Sequence, residues 1–274
     1  MYNLLRADLK RVWKDKLFLV LCIVGAVFSV ITPLLYKGIF LLLGIEEMLE
    51  MEELVGMQFN AKAMFFTSFS PSNNFGMILP ILAAIILCKD FGHGTIRNKI
   101  ICGKSRTRIY FSLFITCVIV MWGFILAQAI LTLLVSLLMF DYQATPFTMA
   151  DFGYLLSSIV FEFVVYLFIS ALLVFFIVSM KNAGGAIVMY FVVNFVMLII
   201  GSITQTSLIF ADSTKASYEV LKFFNDANVF TSLLIGGGTS YAWKDALVIL
   251  LPNILLILGF IFWGLQIFKK KDLK

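Results

Sequence analysis

Histidine is nearly missing from this 274-residue chain: His93 is the only one. A single imidazole cannot supply the multi-histidine ligand set of a typical zinc hydrolase. The four cysteines form no C-x-x-C pair, so the usual metal and redox spacings are absent as well. Charge is scarce, with Asp, Glu, Lys and Arg at 14% of residues against about 25% in a soluble domain. Gly103-Lys104-Ser105 looks like the end of a phosphate-binding loop, but the earlier glycine falls at Asn98 and no strand precedes it. We therefore expect no catalytic residue, no metal and no cofactor in this chain. No repeat of 20–50 residues is visible, which points to one domain over 1–274.

What the chain has is apolar sequence: 61% hydrophobic residues and a mean hydropathy of +1.01. A helix needs about 20 apolar residues to cross a bilayer core about 30 Å thick. Six stretches qualify: 17–36, 70–88, 109–139, 153–180, 185–210 and 246–268. The second is short over 75–88 and takes 70–74 to reach full length, while the third is long enough to tilt or project. Pro33, Pro80 and Pro252 kink spans without forbidding them. The expected fold is an all-α integral membrane protein of six transmembrane helices.

Lys and Arg are retained on the cytoplasmic side, and they fix the orientation. Residues 1–16, 89–108, 181–184 and 269–274 hold 16 of the 21 Lys and Arg and 4 of the 16 Asp and Glu. The opposite set, 37–74, 140–152 and 211–245, holds 5 basic and 11 acidic residues. This predicts a multi-pass protein of the cell membrane with both termini cytoplasmic. Cys22, Cys88, Cys102 and Cys117 then fall in or near the cytoplasmic half, where no disulfide is implied. The net charge of +5 is mostly this bias, and it predicts lipid headgroups rather than nucleic acid as partners. Residues 2–16 read as an interfacial helix, with Tyr2, Leu5, Leu9, Val12 and Trp13 on one face and Arg6, Lys10 and Lys14 on another. The plainer reading is a positive flank without fixed structure, and neither resembles a cleavable signal.

The polar strip 89–108 interrupts the apolar sequence with Lys89, Arg97, Lys99, Lys104, Arg106, Arg108, Asp90 and His93. It predicts a short helix that Gly94 and Thr95 open and Gly103 ends, with Ile96, Ile100 and Ile101 as an apolar edge and Lys99 at the periphery. Thr95 is the expected cap and Gly94 the tight turn. Composition fits either a loop on anionic headgroups or a surface helix docked to a partner.

Residue order adds to this. Asp90-Phe91, then Gly94-Thr95-Ile96-Arg97-Asn98, then Gly103-Lys104-Ser105-Arg106 resembles the loop between the second and third spans of type-2 ATP-binding-cassette (ABC) exporter permeases. The acid is more often Glu in that family. The resemblance implies that the strip is a cytoplasmic coupling helix seated on a separate ATPase subunit. Asp90, Phe91, Gly94, Thr95, Ile96, Arg97, Asn98 and Arg106 would be the docking residues. It also implies two ATPase copies that bind the ATP and Mg, and a second permease chain in a homodimer or related heterodimer. An amphipathic peptide, antibiotic or similar hydrophobic cargo would be exported. Short helices dipping back into the outer leaflet over 218–238 follow from the same likeness, an exposed external loop being the other reading.

Inside the spans, polar residues recur at helical spacing: Gln128, Thr132 and Ser136; Ser158, Glu162, Tyr166 and Ser170; Tyr190, Asn194, Gly201 and Gln205. Such faces serve interhelical packing or a translocation surface, and both can meet at a dimer seam. Glu162 lies about 14 Å into its span, where it should be protonated, hydrogen-bonded to a neighbouring span, or facing water. Two rival functions remain: a proton-coupled secondary transporter using Glu162, and a membrane scaffold or sensor subunit without transport. The acidic run from Glu46 to Glu53 reads as an external amphipathic helix.

Overall fold

The structure is a computed structural model and describes residues 1–43, 61–68, 78–139, 148–210, 216–228 and 243–271. Ten helices are described: α1 (Tyr2–Trp13), α2 (Lys16–Leu43), α3 (Ala61–Thr67), α4 (Ile78–Gly92), α5 (Thr95–Ile101), α6 (Arg106–Met139), α7 (Met149–Met180), α8 (Ala183–Phe210), α9 (Ala216–Ala227) and α10 (Trp243–Lys270). No strand occurs among the described residues. The protein is an all-α integral membrane protein. Five helices are long and apolar enough to cross a membrane, and α4 with α5, bent by 53°, passes the same test only when the two are taken together. A helix satisfies its own backbone donors and acceptors, which lipid cannot do.

The spans outrun the apolar stretches that predict them. Helix α2 continues to Leu43 and keeps Pro33 inside it; α10 keeps Pro252. Helix α4 begins at Ile78 and runs past Cys88 to Gly92, so Lys89 and Asp90 are helical. Residues 70–77, expected to complete that span, lie outside the described residues, as does the acidic run.

Helix α7 is the central span. Of its most apolar window 67% is buried, against 28% for α2 and 17% for α10, and it packs on α4, α6, α8 and α10. Phe168 and Phe175 meet Phe260 of α10, with ring centroids 5.9 and 5.6 Å apart. Met121 and Trp122 of α6 meet Ser170, Phe163 and Tyr166 of α7, which sets an antiparallel register between the two. Most large apolar side chains of α2 and α10 point outward, as lipid-facing surfaces should. Helix α9 folds back along α8 and α10: the Asn228 amide donates to the Met197 carbonyl at 2.9 Å, well inside α8. The remainder of 218–238, from 229 on, lies outside the described residues.

Candidate functional site

The polar strip begins with a helix end. The amide of His93 donates to the Lys89 carbonyl at 2.9 Å and that of Gly94 to Phe91 at 3.3 Å, closing the last turn of α4. Gly94 is left-handed (φ 66°) and is also the N-cap of α5, its carbonyl accepting the Asn98 N–H at 3.0 Å. The chain turns by 53° there. Conformation is what the glycine supplies, because nothing lies within 4 Å of an added Cβ, while a left-handed L-residue costs about 1–2 kcal/mol. Thr95, the expected cap, does not cap: no side-chain bond closes the start of α5. At the other end Gly103 (φ 77°) donates to Ile100 at 2.9 Å and Lys104 to Lys99 at 3.1 Å, a glycine-terminated stop.

Helices α1, α4 and α6 converge on the inner side of α5. The Lys99 ammonium lies 2.6 Å from one Asp8 oxygen and 3.3 Å from Asp90. The second Asp8 oxygen accepts the Ser112 hydroxyl of α6 at 2.6 Å, and Arg11 pairs with Asp90. Further out, Lys89 meets Asp15 at 2.6 Å, and Asp15 also accepts the Leu17 N–H at 3.0 Å to cap α2. Asp8 and Asp90 are 2% and 1% exposed, so these are buried pairs whose desolvation must be offset by close geometry. Burial pulls the Lys99 and Arg11 pKa values below the ordinary range, and the charge of Asp8 works against that shift in both.

This arrangement revises several sequence expectations. The inward face of α1 is Leu4, Asp8 and Val12, while Tyr2 and Trp13 of the expected apolar face are 73% and 74% exposed, the side that an interfacial helix turns to lipid. Lys99 is central to the junction, not peripheral. Asp90 and Ile96 are buried against their own chain, and Phe91 packs on the core. Arg106 turns to the end of α10, donating to the carbonyls of Lys269 at 2.7 Å and Lys271 at 2.9 Å, as cations do at helix C-termini. Arg97 and Asn98 are exposed, and Ile101, expected beside Ile96 and Ile100, is 72% exposed on their side of α5. Its position four residues after Arg97 was the available signal.

Residues 18–274 match the family described as Protein of unknown function (DUF2705). The chain belongs to that family. No curated protein matches it. In this DUF2705 chain the match begins within α2, so Asp8, Arg11 and Asp15 precede the matched residues.

The second polar region lies within the spans. Gln128, Thr132 and Ser136 of α6, Ser158, Glu162, Tyr166 and Ser170 of α7, and Asn194 of α8 are buried. Continuing the register between α6 and α7 brings Gln128 level with Glu162 and Thr132 level with Ser158. Gln128 Oε1, Ser136 Oγ, Glu162 Oε2 and Asn194 Oδ1 have no hydrogen-bond partner among the described residues. The Asn194 amide donates to the Tyr190 carbonyl of its own helix at 2.7 Å. Gln205 is exposed, and Thr204 takes the inward position, bonding back to Ile200 and Gly201. Tyr190 and Gly201 are buried as well, so the inward face of α8 continues at helical spacing as far as Thr204 and only Gln205 falls beside it.

Proposed function

We propose that this chain is the membrane-spanning permease subunit of an ATP-driven exporter, resembling type-2 ABC permeases and working with a separate ATPase that binds ATP and Mg. The observation that carries this reading is a short helix bent 53° away from a span and fixed from behind by Lys99, Asp8, Asp90 and Arg11. Its outer edge presents Arg97, Asn98 and Ile101. A lever must be rigid on one side and accessible on the other. Two such chains with two ATPases would form the exporter, in the cell membrane with both termini cytoplasmic. The cargo class is an amphipathic peptide, antibiotic or similar hydrophobic molecule.

Copurification tests it. The full chain purified from its own membrane should carry an ABC-type ATPase subunit with it, and Arg97→Glu with Ile101→Asp should lose at least about ten-fold of the association, roughly 1.4 kcal/mol, at unchanged thermal stability. Retention of the ATPase by that double variant would remove the docking surface and the reading with it. The unpartnered Oε2 of buried Glu162 favours a second reading, a proton-coupled carrier. Transport driven by a proton gradient in the absence of any ATPase would select that reading.

A further inference from the structure

An open groove of about 750 Å³ runs between α1, α2 and α6 on the outer side of the bundle. Its middle is shaped by glycines. At Gly25 an added Cβ would lie 2.5 Å from the Phe124 ring, so α2 and α6 touch there; at Gly123 it would meet nothing within 4 Å. Gly123 therefore opens into the slot. Along α6 the lining runs from Ile119 to Leu131, about 18 Å at 1.5 Å per residue. One leaflet of hydrocarbon is about 15 Å deep, half of a core of about 30 Å.

The mouth of the groove is cationic. Arg6 and Lys10 stand one helical turn apart on α1, both exposed, and the lining holds no carboxylate. Neither makes an ion pair among the described residues, in contrast to Arg11 and Lys99 on the inner side of the same junction. Tyr2 and Trp13, both exposed, line the groove beside them, and aromatics of this kind favour the membrane–water interface. A protein partner would need acids for the mouth and a side-chain ridge for the slot; a phospholipid with an anionic headgroup supplies both the charge and a chain of leaflet length.

We propose that this groove is a binding site for an anionic phospholipid, one acyl chain lying past Gly123 and the phosphate held by Arg6 and Lys10. The site goes beyond the exporter reading and needs no ATPase.

The test uses the full chain with Trp122, Trp243 and Trp263 replaced by Phe, so that Trp13 reports alone. It is reconstituted in phosphatidylcholine bilayers containing a minor fraction of brominated phosphatidylglycerol or brominated phosphatidylcholine. Phosphatidylglycerol should quench Trp13 at the lower mole fraction, and Arg6→Gln and Lys10→Gln should each shrink that preference about five-fold. Gly123→Phe should remove most of the preference while leaving both cations; Gly123→Leu gives a milder filling if the larger side chain prevents folding. Equal quenching by the two lipids in the parent would overturn the site, leaving only annular lipid. So would a preference unchanged by filling at Gly123, which marks surface charge without a chain site. Quenching by neither lipid, with Gly123→Cys cross-linking to a second copy, would make the groove a subunit seam.

Discussion

The junction at the membrane face and the polar groups inside the spans handle the same problem in opposite ways. Asp8, Asp15 and Asp90 each have a cation within reach, and Asp8 and Asp15 accept further hydrogen bonds. Inside the bundle, Gln128, Ser136, Glu162 and Asn194 each leave an oxygen without a partner among the described residues. Pairing buried charges fixes geometry, because each partner constrains the others. Leaving a buried polar atom unpaired costs about 1–3 kcal/mol. The difference teaches that the junction is arranged for stiffness, whereas the intramembrane polar groups are not locked to one another by hydrogen bonds among the described residues.

The largest effect should come from breaking the stiff side. Asp90→Ala strands Arg11 and leaves Lys99 with Asp8 alone, and removal of one member of a buried pair costs about 3–5 kcal/mol. Thermal unfolding of the purified chain in a neutral detergent should show a correspondingly large drop in Tm. A change no larger than that of an exposed pair would mean that α5 is held by apolar contacts alone. On the other side the sign should reverse. Glu162→Leu removes a carboxyl whose Oε2 has no partner among the described residues from a site that is 3% exposed and should raise stability by about 1–3 kcal/mol. Transport should fall if the acid serves function. A destabilised Leu variant would place a partner on Glu162 and erase the contrast between the regions.

The sequence was most legible where one rule decided the outcome. Apolar length located the spans, and two glycines bounded α5, because no nearby residue competes with either signal. It was least legible where a side chain chose among neighbours on other helices. Asp8 sits in a basic amphipathic helix, and nothing local says that it pairs with Lys99, ninety-one residues away. Arg106 follows the glycine stop and reads as a docking cation, yet the end of α10 reaches it first. Asp90, at the end of α4, turns inward to Arg11 and Lys99, while on α5 Ile96 is buried and Ile101 exposed; partners on other helices decide this, which helical spacing cannot fix. The polar faces of α6, α7 and α8 were visible from spacing, and on α8 Tyr190, Asn194 and Gly201 are buried while Gln205 alone of that set is exposed.

The smallest effect tests the rim of the junction. Asp15 does two things at once: one oxygen caps α2 through Leu17, and the other meets Lys89. Burial alone would raise its pKa, but the Lys89 and Leu17 hydrogen bonds and the charges of Lys89 and Arg11 outweigh it, holding the carboxyl below its ordinary 3.8. Folding therefore favours the ionised form, so the gain is complete above the ordinary value and vanishes as pH falls through the lower, folded one. Asp15→Asn keeps a good cap and removes only the charge. At neutral pH it should cost no more than about 1 kcal/mol, because Lys89 is partly exposed and the pair is screened by salt. Asp15→Ala, which loses the cap as well, should cost about 0.5–2 kcal/mol more. The check is Tm against pH for the parent and both variants at low and high salt. Parent and Asn variant should converge in acid and at high salt, while the Ala variant stays below them. If the Asn variant instead falls as far as Asp90→Ala, the rim pair is as stiffening as the buried ones, and the graded junction described here is a single cooperative unit.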